Sequence, residues 1–200
     1  MKTFKTMVFI LLIGSQGLES KTTCHNTGIV PYAFDDQGQL WLLLRQGYHE
    51  HWFDFSGLGG DEKNRRSVAL HMLAHQSNGI FGIYAQKKGL VSAELSPFKA
   101  SDAYIASRIT HKICNPRKDY VLFFARVLFI ELENCKGSFC CAQTMDYDWF
   151  QADRLLSIAR IAHRHHAFYG WKKLRFSFVD FLKTTEMEEV INDIKNTINE

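Results

Sequence analysis

The sequence has no internal repeat, no low-complexity run and no marked excess of charge of either sign. With neither repeats nor biased runs, a chain of 200 residues that is 46% hydrophobic is read as one globular domain with enough apolar side chains to bury a core. A net charge of +3 is too small to act as a nucleic-acid signal, because binding by phosphate neutralisation requires a concentrated basic face. No apolar run approaches the roughly 20 residues that a membrane-spanning helix needs, so no transmembrane helix is expected in the mature chain. Serine-nucleophile chemistry is not indicated, since Ser56 precedes glycine without the G-x-S-x-G elbow.

The longest apolar run stands near the N-terminus. Lys2 and Lys5 precede the segment MVFILLIG at 7–14, and Ser15, Gln16 and Gly17 follow as a small-residue cleavage site. This order predicts a signal peptide over residues 1–20 and export to a periplasmic or extracellular compartment. Export would place Cys24, Cys114, Cys135, Cys140 and Cys141 where disulfides persist, and an odd count leaves one thiol over. A zinc site from His111, Cys114, Cys135 and Cys140 is the alternative use of these residues, with a spacing that matches no compact zinc module.

Hydrophobic periodicity orders the remainder. TGIVPYAF at 27–34 and QLWLLLR at 39–45, separated by Asp35-Asp36-Gln37-Gly38, predict a hairpin. HWFDF at 51–55 predicts a short strand entering the glycine-rich loop at Gly57, Gly59 and Gly60. Val68, Ala69, Met72 and Leu73 recur at helical spacing and Asn78-Gly79 supplies a left-handed stop, which predicts a helix over 64–77. Residues 80–85 read as a short apolar piece and 101–113 as a second helix after Pro97. Residues 119–132 read as the buried middle strand of the sheet, and 142–150 as a returning strand followed by a short helix. An irregular stretch over 163–169 leads to a helix at 174–183. The domain is expected over 21–185, with a polar tail or helix end over 186–200.

A hairpin, a strand with the approach WFDFSG, a glycine loop, a helix, a long buried strand and the late YDWF-QADRLL segment together resemble the Nudix hydrolase family over roughly residues 27–183. The resemblance implies an α/β (α+β) fold, a mixed β-sheet sandwiched between helices in a single domain. It also implies the signature G-x5-E-x7-R-E-U-x-E-E-x-G-U, U being aliphatic. With Gly57 first and Leu73 in the aliphatic slot, Lys63 takes the first Glu position, His71 the Arg, Met72 the next Glu, and His75 and Gln76 the final pair. Every acidic slot is lost.

Diphosphate cleavage of the family's kind needs a hard divalent cation, Mg²⁺ or Mn²⁺, held by carboxylate oxygen. Met72, His75 and Gln76 offer a thioether, an imidazole and an amide instead. The leading expectation is therefore an exported Nudix-like domain that binds a nucleotide-like or diphosphate-containing molecule, or a protein partner, with little or no hydrolysis. Gly57, Gly59, Gly60, Met72, His75 and Gln76 are its ligand-facing residues. The alternative is a divergent pyrophosphohydrolase acting on a nucleoside diphosphate linked to another group, with displaced acids at Asp61 and Glu62, or at Asp54. The ordinary role of acids before a helix is to complement its dipole. A third reading uses His71 and His75, at i and i+4, to hold Zn²⁺ or another transition metal. Peptidase chemistry does not accompany it, because Met72 stands where that motif carries Glu. Finally, His163, Arg164, His165 and His166 run into Phe168, Tyr169, Trp171, Lys172, Lys173 and Arg175, a basic and aromatic mixture able to stack a base and grip phosphate, to lie on an anionic surface, or to form an ordinary solvated loop.

Overall fold

A computed structural model of the chain describes residues 26–47, 49–58, 63–115, 119–130, 132, 144, 146–163 and 166–197. The proposed leader at 1–20, the loop residues Gly59, Gly60, Asp61 and Glu62, and Cys24, Cys135, Cys140 and Cys141 lie outside the described residues, as do Arg164 and His165.

The expected hairpin forms from β1 (Asn26–Phe34) and β2 (Leu40–Gln46). Asp35 closes it by accepting the N–H groups of Gln37 at 3.0 Å and Gln39 at 2.8 Å and the Trp41 indole at 2.8 Å. These donors, the indole foremost, hold the Asp35 carboxyl below its ordinary pKa. The hairpin pairs over Tyr32–Phe34 alone, because the first half of β1 is taken on the same edge by β4 (Phe55–Leu58). On its other edge β1 runs parallel to β6 (Tyr120–Arg126) from Asn26 opposite Tyr120 to Tyr32 opposite Arg126. β5 (Ile109–Asn115) flanks β6. β2 pairs with β7 (Asp146–Gln151) and, through Arg45 and Gln46, with β3 (His51–Phe53). β8 (Phe168–Tyr169) and β9 (Lys172–Leu174) extend the sheet beyond β3.

Helices cover both faces of this mixed sheet, as the fold expectation required. α1 (Arg65–Gln76), α2 (Ile80–Lys87) and α3 (Pro97–Ala106) bury Leu73, Phe81 and Ile105 against Ile29, Leu43 and Phe55. On the opposite face α4 (Ala152–Ile161), α5 (Phe176–Leu182) and α6 (Thr185–Asn196) bury Leu155, Val179 and Ile191 against Val30, Leu42 and Phe150. Alternate residues of one strand thus feed two cores, which is why β2 is apolar almost throughout.

Several elements depart from the sequence reading. The apolar piece after Gly79 is helix α2, begun by Asn78 at φ 52° and Gly79 at φ 67°. The helix expected over 101–113 is α3, capped by Ser96 and ending at Ala106, after which the β-branched Ile109-Thr110 starts β5. The strand expected over 119–132 stops at Arg126, and β6 lies one place from the sheet edge with β1 inside it. Part of the irregular stretch over 163–169 is β8.

Within the segment expected as a polar tail or helix end, α6 runs Thr185–Asn196 and packs on the core. Met187, Ile191 and Ile194 are buried at helical spacing, and the Thr184 hydroxyl accepts the Met187 N–H at 3.2 Å. Thr184→Ala is expected to lower unfolding free energy by about 1 kcal/mol, read in urea titration. No described helix is long and apolar enough to cross a membrane.

Candidate functional site

β1 cannot keep both β2 and β4 on one edge along its whole length, so the sheet parts between them. Asp54 sits at that parting, the single residue between β3 and β4. It is 6% exposed, and its carboxylate accepts the phenol hydroxyl of Tyr120 from the start of β6. Gly28 of β1 lies beneath the pair, where a Cβ would overlap both Asp54 Oδ2 and the Tyr120 oxygen. Burial pushes the Asp54 carboxyl above its ordinary pKa, opposed by the Tyr120 hydrogen bond and by the charges of Arg45 and Arg175. Burial, together with the charge and hydrogen bond of Asp54, raises the Tyr120 phenol well above its ordinary value.

Two arginines complete this corner. Arg45 ends the apolar run of β2, is 5% exposed, and donates from Nε to the Asp54 carbonyl at 3.2 Å. Its guanidinium lies 4.1 Å from the Phe53 ring centre, and that of Arg175, from the N-cap of α5, lies 4.7 Å from the same ring. A cavity of about 510 Å³ opens here, lined among others by Asn26, Arg45, Asp54, Ser56, Tyr120 and Arg175. A second hollow of about 500 Å³ shares both arginines and Phe176 and adds His49, His51 and Phe53. Burial lowers the His51 pKa, and the neighbouring positive charges of Lys173, His49 and Arg175 lower it further. The field in this corner therefore favours an anion.

Gly57 and Ser56 join the cavity to the glycine loop and α1. A Cβ on Gly57 would stand 2.7 Å from Met72 Cε and 2.8 Å from its sulfur, so the thioether lies directly on the backbone of β4, where Gly57 is a strand residue and not the start of the expected loop. Gln76, one turn later and 2% exposed, donates from Nε2 to the Ser56 carbonyl at 2.9 Å. These two box positions are used in holding α1 to β4. A thioether pressed on glycine does not fit a hard divalent cation, and Gln76 offers only the neutral amide oxygen Oε1, buried without a hydrogen-bond partner among the described residues, with no carboxylate beside it on α1. Asp61 and Glu62 fall outside the described residues, and Asp54 is committed to Tyr120.

His75 does not share that face. Its ring stacks on Phe98 of α3 at 4.7 Å, and His71 lies 4.1 Å from it, both exposed. Asp102 of α3 stands close enough that both histidines lower its pKa against the larger upward push of burial. The pair has the proximity to share a transition metal, but no group of three His, Cys, Asp or Glu able to hold an ion occurs among the described residues. His111 and Cys114 lie on β5, whereas the other two members of the zinc alternative fall outside the described residues.

The structure therefore brings Gly57, Met72 and Gln76 together and sets His71 and His75 apart. Arg45, Tyr120 and Gly28 were not singled out in the sequence, and Arg175 only as the end of the basic and aromatic stretch that begins at His163. One signal was present there, an arginine closing the apolar run LWLLL seven residues before the Trp-Phe-Asp-Phe segment begins.

No family model matches the chain, and no curated protein matches it in sequence. Solved structures that it resembles are Nudix proteins. A Nudix hydrolase from M. smegmatis, RenU, is 12% identical with a TM-score of 0.42, over 86% of this chain and 88% of that one. The NUDIX domain of Shewanella oneidensis NrtR, complexed with ADP ribose, is 16% identical at a TM-score of 0.40, over 82% and 86%. A C. elegans Ap4A hydrolase is 14% identical at 0.40, over 68% and 86%. Likeness of that degree decides nothing about activity, and the functional reading rests on this chain's own residues.

Proposed function

We propose that this chain is an exported, Nudix-like binding module for a nucleotide-like, diphosphate-containing molecule, without metal-dependent hydrolysis at its loop and helix. The observation that supports it is the contrast between two adjoining surfaces. On α1 the positions that would carry metal-binding acids are filled by Met72 and Gln76, and both are engaged with β4. Beside them, the cavity at the parted sheet is lined by the cations Arg45 and Arg175, the chemistry that holds phosphate oxygens, and by the aromatic rings of Phe176 and Phe181.

The test is an assay of residues 21–200 against a panel of nucleoside diphosphate derivatives with Mg²⁺ and Mn²⁺, run beside Met72→Glu/His75→Glu/Gln76→Glu and Arg175→Ala. The expected result is saturable binding without turnover in the unmodified chain. Affinity should fall about tenfold in Arg175→Ala, the equivalent of one charge-assisted contact. Turnover appearing only in the triple variant would show a scaffold that has lost ligands. Metal-dependent turnover in the unmodified chain, abolished by Asp61→Ala/Glu62→Ala, would overturn the proposal in favour of a divergent pyrophosphohydrolase.

A further inference from the structure

A second basic cleft lies on the α1 face of the sheet, away from the Asp54 corner. It has a volume of about 490 Å³ and is lined by Lys63, Arg65, Arg66, His111 and Lys112 over a floor that includes Val121 and Phe123. Its position follows from pairing: Lys112 is opposite Phe123 and Cys114 opposite Val121, so these residues of β5 stand on the same side of the sheet as the floor. The first turn of α1 closes the other wall. That turn contains no acidic residue, and Asn64 supplies no side-chain cap. No carboxylate is among the described residues lining the cleft.

Arg65 is the decisive side chain. It is 7% exposed, lines the cleft, and its Nε is buried without a hydrogen-bond partner among the described residues. A buried guanidinium nitrogen left unpaired is costly, and an anion brought to it would supply the missing acceptor. Its own backbone is fixed, since the Arg65 carbonyl lies 3.5 Å from the Thr27 hydroxyl. Arg66 is anchored to the other side, donating from Nη2 to the Ala106 carbonyl at 2.5 Å. His111 has one ring nitrogen, Nδ1, on Thr110 Oγ1 at 2.8 Å, which leaves Nε2 for a ligand.

We propose that this cleft is a second binding site, for the phosphate or diphosphate group of a small phosphorylated molecule. The N-terminus of a 12-residue helix, a buried unpaired arginine and two exposed lysines converge on a hollow of small-molecule size. A small ligand is favoured over nucleic acid because the basic groups converge within the hollow, while the chain as a whole carries a net charge of only +3. The inference does not depend on the proposed nucleotide cavity.

The test uses the full chain with inorganic pyrophosphate as the probe, followed by amide chemical shifts and calorimetry. Saturable shifts at His111 and Lys112 are expected, with affinity about tenfold weaker in Arg65→Met. Because Arg65 is buried, Lys63→Ala/Lys112→Ala is the second variant. Both of those lysines are exposed, so the fold is retained, and the same shifts should weaken by a comparable factor. Arg175→Ala should leave them unchanged, which separates this cleft from the Asp54 corner, where shifts at His51 and Phe176 would report. Absence of shifts on β5, or an affinity in both variants equal to that of the unmodified chain, would overturn the proposal. Tighter binding of a single-stranded RNA oligonucleotide than of pyrophosphate would overturn the assignment of ligand class.

Discussion

Gly28→Val is expected to destabilise the fold by about 3 kcal/mol, at the upper end of the usual cost of overpacking a filled interior. Strand propensity alone argues for the substitution, since Gly28 is an interior residue of β1 paired with Ser56 on one side and Leu122 on the other. Packing argues against it more strongly. The space a Cβ would take is held by the Asp54 carboxylate and the Tyr120 hydroxyl, which hold each other and are walled in by two strands. Urea unfolding of the single variant would show the loss. The double variant with Asp54→Ala identifies its origin, because removing the carboxylate vacates part of the volume. A coupling of at least about 1 kcal/mol between the two sites is expected, and strict additivity would show that the collision is not the cause.

Asp54→Ala should itself cost about 2–3 kcal/mol in mildly acidic solution, since it leaves the buried Tyr120 hydroxyl without its acceptor and opens a void. The cost should shrink as pH rises. Burial raises the folded-state pKa of Asp54 above its unfolded value near 3.8, so the folded chain binds more protons in the interval above that value. The stabilisation is whole below the unfolded pKa and is lost as pH climbs through the folded pKa, at about 1.4 kcal/mol for each unit between the two. Unfolding free energies of the unmodified chain and Asp54→Ala, measured from pH 4 to 8, should therefore converge with increasing pH. A difference that grew with pH would mean that Arg45 and Arg175 outweigh burial and hold the carboxylate ionised.

Both predictions fall at a place that strand patterning does not mark. HWFDF reads as one short strand, and the structure divides it at Asp54, so that Trp52 and Phe53 pair with one region of the sheet and Phe55 with another. Nothing in the alternation of aromatic and polar residues announces that division. It arises because β1 has one free edge and two strands to share it. The same limit applies to 101–113: Ile109 to Ile113 continues a helical pattern acceptably, and only the presence of β6 alongside makes extension more favourable. The tail after Thr184 carried its signal openly, in Met187, Ile191 and Ile194 at helical spacing behind a threonine cap, within a segment whose overall polarity obscures it.

At the loop and helix, the sequence determined which chemistry the side chains possess. A thioether, imidazoles and an amide along α1 are what they are in any fold, and the absence of acids from Arg65–Gln76 was legible in the sequence. Leu73 and the Asn78-Gly79 stop also fixed the buried stripe of α1 and its end, because periodicity and backbone freedom are local properties, whereas Gly57, read as the start of the loop, is a residue of β4 paired with Thr27. Only the tertiary structure decided what those groups do: Met72 and Gln76 turn to β4, while His71 and His75 turn to Phe98. The corner of Arg45, Asp54, Tyr120 and Arg175 belongs wholly to tertiary structure. Its members come from four separate segments, and a pattern with the period of a strand or a helix carries no information about which strands will share an edge.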